Sequence, residues 1–209
     1  MKFVKMLCLA AIAAAALMAV AGAGTASATV LCSTTTSPCP EAQKYPVGTR
    51  IGFSLASGTS LRWVNGGTTL ETCKEAVLKS DITNAGSATS TVKSENKTLS
   101  FNQCNFANGF TKLGGLEIHN ISGTSNGTVT ATGEIGWTFV NPLFGSCVYG
   151  WTANGVVGTI TEGKPATLDL NTGIVRLSGS NLACPENGTL EGSLTQTEPA
   201  STTLSVGAS

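Results

Sequence analysis

The sequence predicts an all-β domain, a single sandwich or jelly-roll-like arrangement held by disulfides, and three observations carry that reading. Past residue 40 the chain consists of short stretches rich in Thr, Val, Leu and Ile, separated by Gly, Asn and Ser. Such composition suits strands and turns, because Thr and Val fit a half-buried pleated surface. Turn signals recur at roughly eight to twelve residues, the spacing of a sandwich or barrel. No amphipathic stretch reaches the roughly ten residues that the helix of a parallel βαβ unit needs.

The chain opens on Met1 to Ala28, which has the layout of a secretory signal. Lys2 and Lys5 form its basic end, an apolar run extends from Met6 to about Val20, and Ala26-Ser27-Ala28 makes an A-x-A site with cleavage before Thr29. At roughly 15 to 18 apolar residues the run fits a signal core better than a spanning helix, and no later segment approaches the roughly 20 residues of a span. The expected location is therefore extracellular, with residues 29–209 as one β-rich domain. Lipid attachment at Cys32 is disfavoured, since Leu31 fills the place that a small residue takes before a lipidated cysteine.

Of the 7 cysteines, Cys8 lies in the signal, leaving Cys32, Cys39, Cys73, Cys104, Cys147 and Cys184. An even set in an exported chain reads as a disulfide framework. Chain order suggests the pairs Cys32–Cys39, Cys73–Cys104 and Cys147–Cys184, although spacing alone does not choose among the pairings that six cysteines allow. Such bridges contribute about 2.5 kcal/mol for the short loop and about 3.5 to 4 kcal/mol for each long one in the chain-entropy model. Zinc is the rival reading, but there is no C-x₂-C pair and His119 is the single histidine, so no metal site is expected.

Strands are expected at residues 50–55, 68–74, 89–93, 98–102, 116–121, 127–132, 134–140, 147–151, 156–161, 167–170, 174–178 and 189–195, with 202–206 as a last one. "NGG" at 65–67, "SNG" at 125–127 and "NTG" at 171–173 mark tight turns, because Asn and Gly tolerate positive φ. Alternation is clearest in "GTVTATGEIGWTFV", where Val129 and Ala131 share one face and Ile135, Trp137 and Phe139 another. "CKEAVLKS" at 73–80 has a competing reading as a helical turn. Cysteine placement repeats faintly, "TLETC" and "TLSFNQC" against "GSCVYG" and "VRLSGSNLAC", as two related halves meeting near 108–115 would produce. The segments "STTTSPCPEAQKYP" and "TEPASTTLSVGAS" are expected to be loosely held, the latter as an edge strand or a free tail.

Charge excludes whole classes of partner. Once Lys2 and Lys5 leave with the signal, what remains of the 12 basic residues faces 12 acidic ones. A sparse, nearly neutral surface suits neither nucleic acid, which needs a cationic face, nor electrostatic docking on a membrane, and no stable membrane insertion is expected after cleavage.

Glu117 and His119 in "LEIHN" fall two apart on one strand face and are the catalytic candidates. The competing reading is the polar outer side of a strand whose Leu116 and Ile118 point inward. Glycoside hydrolysis needs two carboxylates roughly 5 to 9.5 Å apart. The carboxylates on offer are Glu71, Glu75, Asp81, Glu117, Glu134 and Asp169. Trp137, Tyr149 and Trp151 are candidates for stacking on a sugar face, with core packing beside a disulfide as the alternative. No cofactor fingerprint is present.

The pattern "LC…SPC", "YPVGT", "GLEIH" at 115–119, "CVYG" and "ACPENGTLEGS" resembles a group of exported, cysteine-containing β-rich proteins of high-GC Gram-positive bacteria. That resemblance implies an extracellular β fold and carries over no catalytic residue. The expected function is a secreted, non-enzymatic cell-surface or extracellular binding or structural protein, with a glycan or cell-envelope component as partner. The alternative is an extracellular hydrolase acting on glycans.

Overall fold

The computed structural model describes residues 28–106 and 108–208, so nearly all of the predicted signal lies outside the described residues. Among the described residues there is no α-helix, only a 3-10 turn at Glu41–Gln43. The strands, in chain order, are β1 (Thr29–Cys32), β2 (Arg50–Leu55), β3 (Leu61–Asn65), β4 (Thr68–Ser87), β5 (Ser90–Cys104), β6 (Asn108–Lys112), β7 (Gly115–Asn120) and β8 (Gly127–Ala131). They continue as β9 (Ile135–Asn141), β10 (Gly145–Trp151), β11 (Val156–Thr161), β12 (Thr167–Asp169), β13 (Thr172–Arg176), β14 (Asn187–Glu191), β15 (Ser193–Glu198) and β16 (Ser205–Ala208).

The sheet closes on itself. β2, β15, β12, β11, β8, β7, β5 and β4 form a ring, because β2 pairs with both β15 and β4. The other strands of the same sheet extend this ring along the barrel axis, and β1 and β16 form a separate pair. β2 continues into β3, β7 follows β6, β8 continues into β9, β11 follows β10, β12 continues into β13 and β15 follows β14, while β4 and β5 run the full length. The result is eight long staves in up-and-down order, each antiparallel to its sequence neighbours, with the last stave paired to the first. An expected sandwich is thus replaced by a barrel. Neighbours in sequence are neighbours in the sheet, so the sheet curls until its edges meet and no second sheet is left to stack on it. One interval differs: β6 ends the hydrogen-bonded order, and no strand pairing links it to β5.

The register places apolar residues inside. β8 alternates buried Gly127, Val129 and Ala131 with half-buried Thr128 and Thr130. The outer surface carries Lys79, Asp81, Lys93, Glu95 and Lys97, the inverse of a membrane barrel, whose outer belt is apolar. No helix among the described residues is long and apolar enough to cross a membrane. Eight staves leave an interior just wide enough for side chains to fill. Ile51, Phe53, Leu78, Ile82, Leu116, Ile118, Val129, Ile160 and Leu168 fill one end. An aromatic cluster fills the other, with ring centroids 4.3 Å apart for Trp63–Tyr149, 4.9 Å for Trp63–Phe139 and 5.5 Å for Trp137–Trp151. Gly188 makes room for it, since a Cβ there would lie 2.0 Å from Trp63 Nε1.

The tail takes the edge-strand form of its two expected alternatives, while the segment after Cys32, expected to be loosely held, is tied down. β1 pairs with β16 from Thr29↔Ala208 to Cys32↔Ser205, and Val30, Leu204 and Val206 are fully buried. Leu31 enters the aliphatic end of the barrel, Cys32–Cys39 staples the strand, and Tyr45 Oη donates to Thr203 O at 2.7 Å. β1 and β16 clasp each other and close one mouth.

The segment at 73–80 is strand, with Ala76 and Leu78 inside. The expected strands at 68–74, 89–93 and 98–102 are parts of the β4–β5 ribbon, and three observed strands, Thr29–Cys32, Leu61–Asn65 and Asn108–Lys112, are not among those expected. All three disulfides are those suggested by chain order, and they point to an oxidising compartment. Cys73 and Cys104 join β4 to β5 at directly paired positions, while Cys147 and Cys184 tie β10 to the loop after β13. Leu31→Ala is expected to lower stability by about 3 to 5 kcal/mol, because it removes the side chain that fills the barrel mouth; urea unfolding of the two proteins measures the difference.

Candidate functional site

The inward phase of the ribbon shifts near its middle. In β4, Glu71 and Cys73 are buried, then Lys74 and Glu75 are both exposed, and burial resumes at Ala76, Leu78 and Ser80. Opposite them in β5, Gln103 sits at φ 51°, a left-handed conformation that marks a local irregularity in a strand. The partner of β4 changes at the same place. β3 pairs with it up to Leu61↔Cys73 and β2 begins at Ser54↔Val77, so among the described residues no strand pairs with β4 between those points on that edge. The bend at 56–60 between β2 and β3 leaves the wall here.

An open cleft of about 730 Å³ results, lined by Leu55, Ser57, Gly58, Thr59, Ser60, Thr72, Lys74, Glu75 and Gln103. Its chemistry is that of hydroxyls, one amide, one ammonium and one carboxylate. The Gln103 amide donates to Glu75 Oε1, which leaves Lys74 as a cation with no ion-pair partner among the described residues. The barrel interior offers far smaller spaces, about 20 Å³ at the aliphatic end.

Glu117 and His119 lie on the outer wall of the barrel in β7, paired across to Thr130 and Thr128. Glu117 accepts a hydrogen bond from Thr91 Oγ1, and His119 Nε2 is 3.3 Å from Thr130 Oγ1. Both therefore engage the threonines of neighbouring strands, outside the cleft. Trp137, Tyr149 and Trp151 are 3%, 0% and 4% exposed and pack inside the barrel. Tyr149 Oη donates to Pro185 O at 2.6 Å, and burial pushes that hydroxyl up to about 12. Of the other carboxylates, Asp81 is bidentate to Arg50 at 2.7 and 3.0 Å, and Glu134 pairs with Lys112 at 2.7 Å. The cleft thus brings together residues that sequence reasoning passed over, apart from Glu75. The signal available was the adjacent outward pair Lys74-Glu75, which breaks strand alternation.

Glu71 is the buried carboxyl of the molecule's described part, 5% exposed. It points inward beside the disulfide, with Phe106 N–H donating to Oε1 at 3.2 Å, while Oε2 has no hydrogen-bond partner among the described residues. Burial pushes its pKa above the ordinary value of 4.5, and the backbone N–H groups of Phe106, Asn105 and Thr72 pull it partly back.

No family model, curated protein or solved structure matches this chain.

The sign of the Glu71 effect follows from linkage. A carboxyl whose folded pKa is raised favours the folded state when protonated, so that contribution is present below about 4.5 and is lost as pH rises through the folded value. Glu71→Gln keeps an acceptor for Phe106 N–H and removes the charge. Its urea midpoint is expected to match the wild type at acid pH and to exceed it increasingly towards neutral pH.

Proposed function

We propose that the protein is a secreted, non-enzymatic extracellular binding module that takes a neutral, hydroxyl-rich ligand, a glycan of the cell envelope, in the cleft beside β4. The observation that carries this reading is the cleft itself. It is open and rich in hydrogen-bonding side chains on a surface otherwise poor in charge. Polar groups converging in a concavity are the usual form of a ligand site. The cleft lining holds one carboxylate, Glu75, where glycoside hydrolysis uses two, and this favours binding over turnover. Three disulfides suit the extracellular setting.

A glycan array and a cell-wall pulldown with the purified chain test this reading. Lys74→Ala and Gln103→Ala are expected to weaken capture about tenfold each, the loss of one hydrogen bond to a ligand. Both side chains are exposed, so stability should stay within about 0.5 kcal/mol of wild type. Glu75→Gln is expected to retain ligand without release of product. A flat array, or equal capture by all the variants, would overturn the proposal.

A further inference from the structure

The inner face of the same stretch of wall holds a second cluster. One carboxylate oxygen of Glu71 and the sulfurs of Cys73 and Cys104 all lie within 4.8 Å of one another. Glu71 and Cys73 share the inward face of β4, two residues apart, and Cys104 meets Cys73 directly across the ribbon. The orphaned Glu71 Oε2 is buried in this region, and Glu71 and Cys73 line a cavity of about 10 Å³, room for roughly one water-sized occupant. Asn108, which is exposed, also lines it.

We infer that the Cys73–Cys104 disulfide masks a divalent-metal site of the zinc class, which opens when that one bond is reduced. Two thiolates and a carboxylate, with a water as fourth ligand, make a tetrahedral set. Metal–sulfur distances of about 2.3 Å and metal–oxygen distances of about 2.1 Å place such ligand atoms roughly 3.5 to 3.8 Å apart. Reduction removes the bond that holds the two sulfurs together and frees them to move apart to that range. The Glu71 oxygen already lies within 4.8 Å of them. The bound cation would also give the orphaned carboxylate a counter-charge.

Exposure selects this disulfide for reduction. Cys104 is half-exposed, whereas Cys32, Cys39, Cys147 and Cys184 are buried, and thiol exchange needs access to a sulfur. A dithiol reductant supplies two electrons and two protons to the sulfur–sulfur bond. Cys73 and Cys104 become thiols and the reductant becomes its cyclic disulfide. The cation then displaces both thiol protons to solvent.

The test uses the full mature chain under limited dithiothreitol, with the opened bridge mapped by mass spectrometry and cobalt(II) as probe. Cys73–Cys104 should open first. The reduced chain should then bind one cobalt per molecule, with a thiolate-to-cobalt charge-transfer band in the near ultraviolet that zinc displaces, while the oxidised chain shows none. Reduced Glu71→Gln should bind at least about tenfold more weakly, no less than the loss typical of an outer-shell partner at its lower end. A variant with Cys147→Ser and Cys184→Ser keeps the cluster and should retain the band whenever circular dichroism shows a folded chain. The inference is overturned if another bridge opens first, if the reduced chain binds no cobalt or unfolds without binding it, or if Glu71→Gln binds as tightly as wild type.

Discussion

The pairing of the first stave with the last, β2 and β3 against β15 and β14, is the constraint on which the rest of the molecule depends. An open meander of eight staves would leave two long edges with unpaired backbone groups, a template for aggregation. Closure satisfies those groups and encloses the apolar face of every stave. It also joins residues near the start of the domain to residues near its end, so the barrel forms only when nearly the whole chain is in place. The β1–β16 clasp extends the same logic to the termini. Leu31 fills the mouth that closure leaves, and Cys32–Cys39 holds the strand that carries it.

Closure has a geometric cost along the ribbon. β4 and β5 run the full length of the barrel, while every other stave is broken near its middle. The ribbon absorbs the mismatch by shifting its inward phase at Lys74 and Glu75, with Gln103 opposite in a left-handed conformation. Irregularities of this kind re-aim side chains in sheets. Here one side of the wall gains a polar cleft and the other a buried carboxyl beside a disulfide. Thr72 and Lys74 face outward, Glu71 and Cys73 inward. The two features have different chemistry because one wall separates them, and they share a location because one irregularity produces both.

Charge and aromatic content are divided in the same way. The aromatic rings that might have served a sugar are needed to fill the barrel end, where Trp63, Phe139 and Tyr149 pack on one another. Apart from buried Glu71, charged residues stay at the surface, and two ion pairs, Arg50–Asp81 and Arg62–Glu191, join neighbouring strands. Exposed pairs of this type contribute little to stability. Their effect is a nearly neutral, hydrophilic surface into which the cleft opens.

The sequence alone determined the strand-rich character, the disulfide-forming set of cysteines and the inward side of regular strands such as 127–131. Each of these depends only on composition or on a period of two over a few residues. It did not determine the barrel, because closure is a pairing between residues more than a hundred positions apart, such as Arg62 with Glu191, and local pattern is blind to it. Nor did it reveal the cleft. The consecutive apolar residues Ala76, Val77 and Leu78 allow a helical turn on pattern alone, and the inward side moves from Glu71 and Cys73 to Ala76, Leu78 and Ser80, a shift that only the change of partner from β3 to β2 locates in an irregular strand. Trp137, Tyr149 and Trp151 were recognisable as one face, yet whether that face met solvent or core was decided by the curl of the sheet.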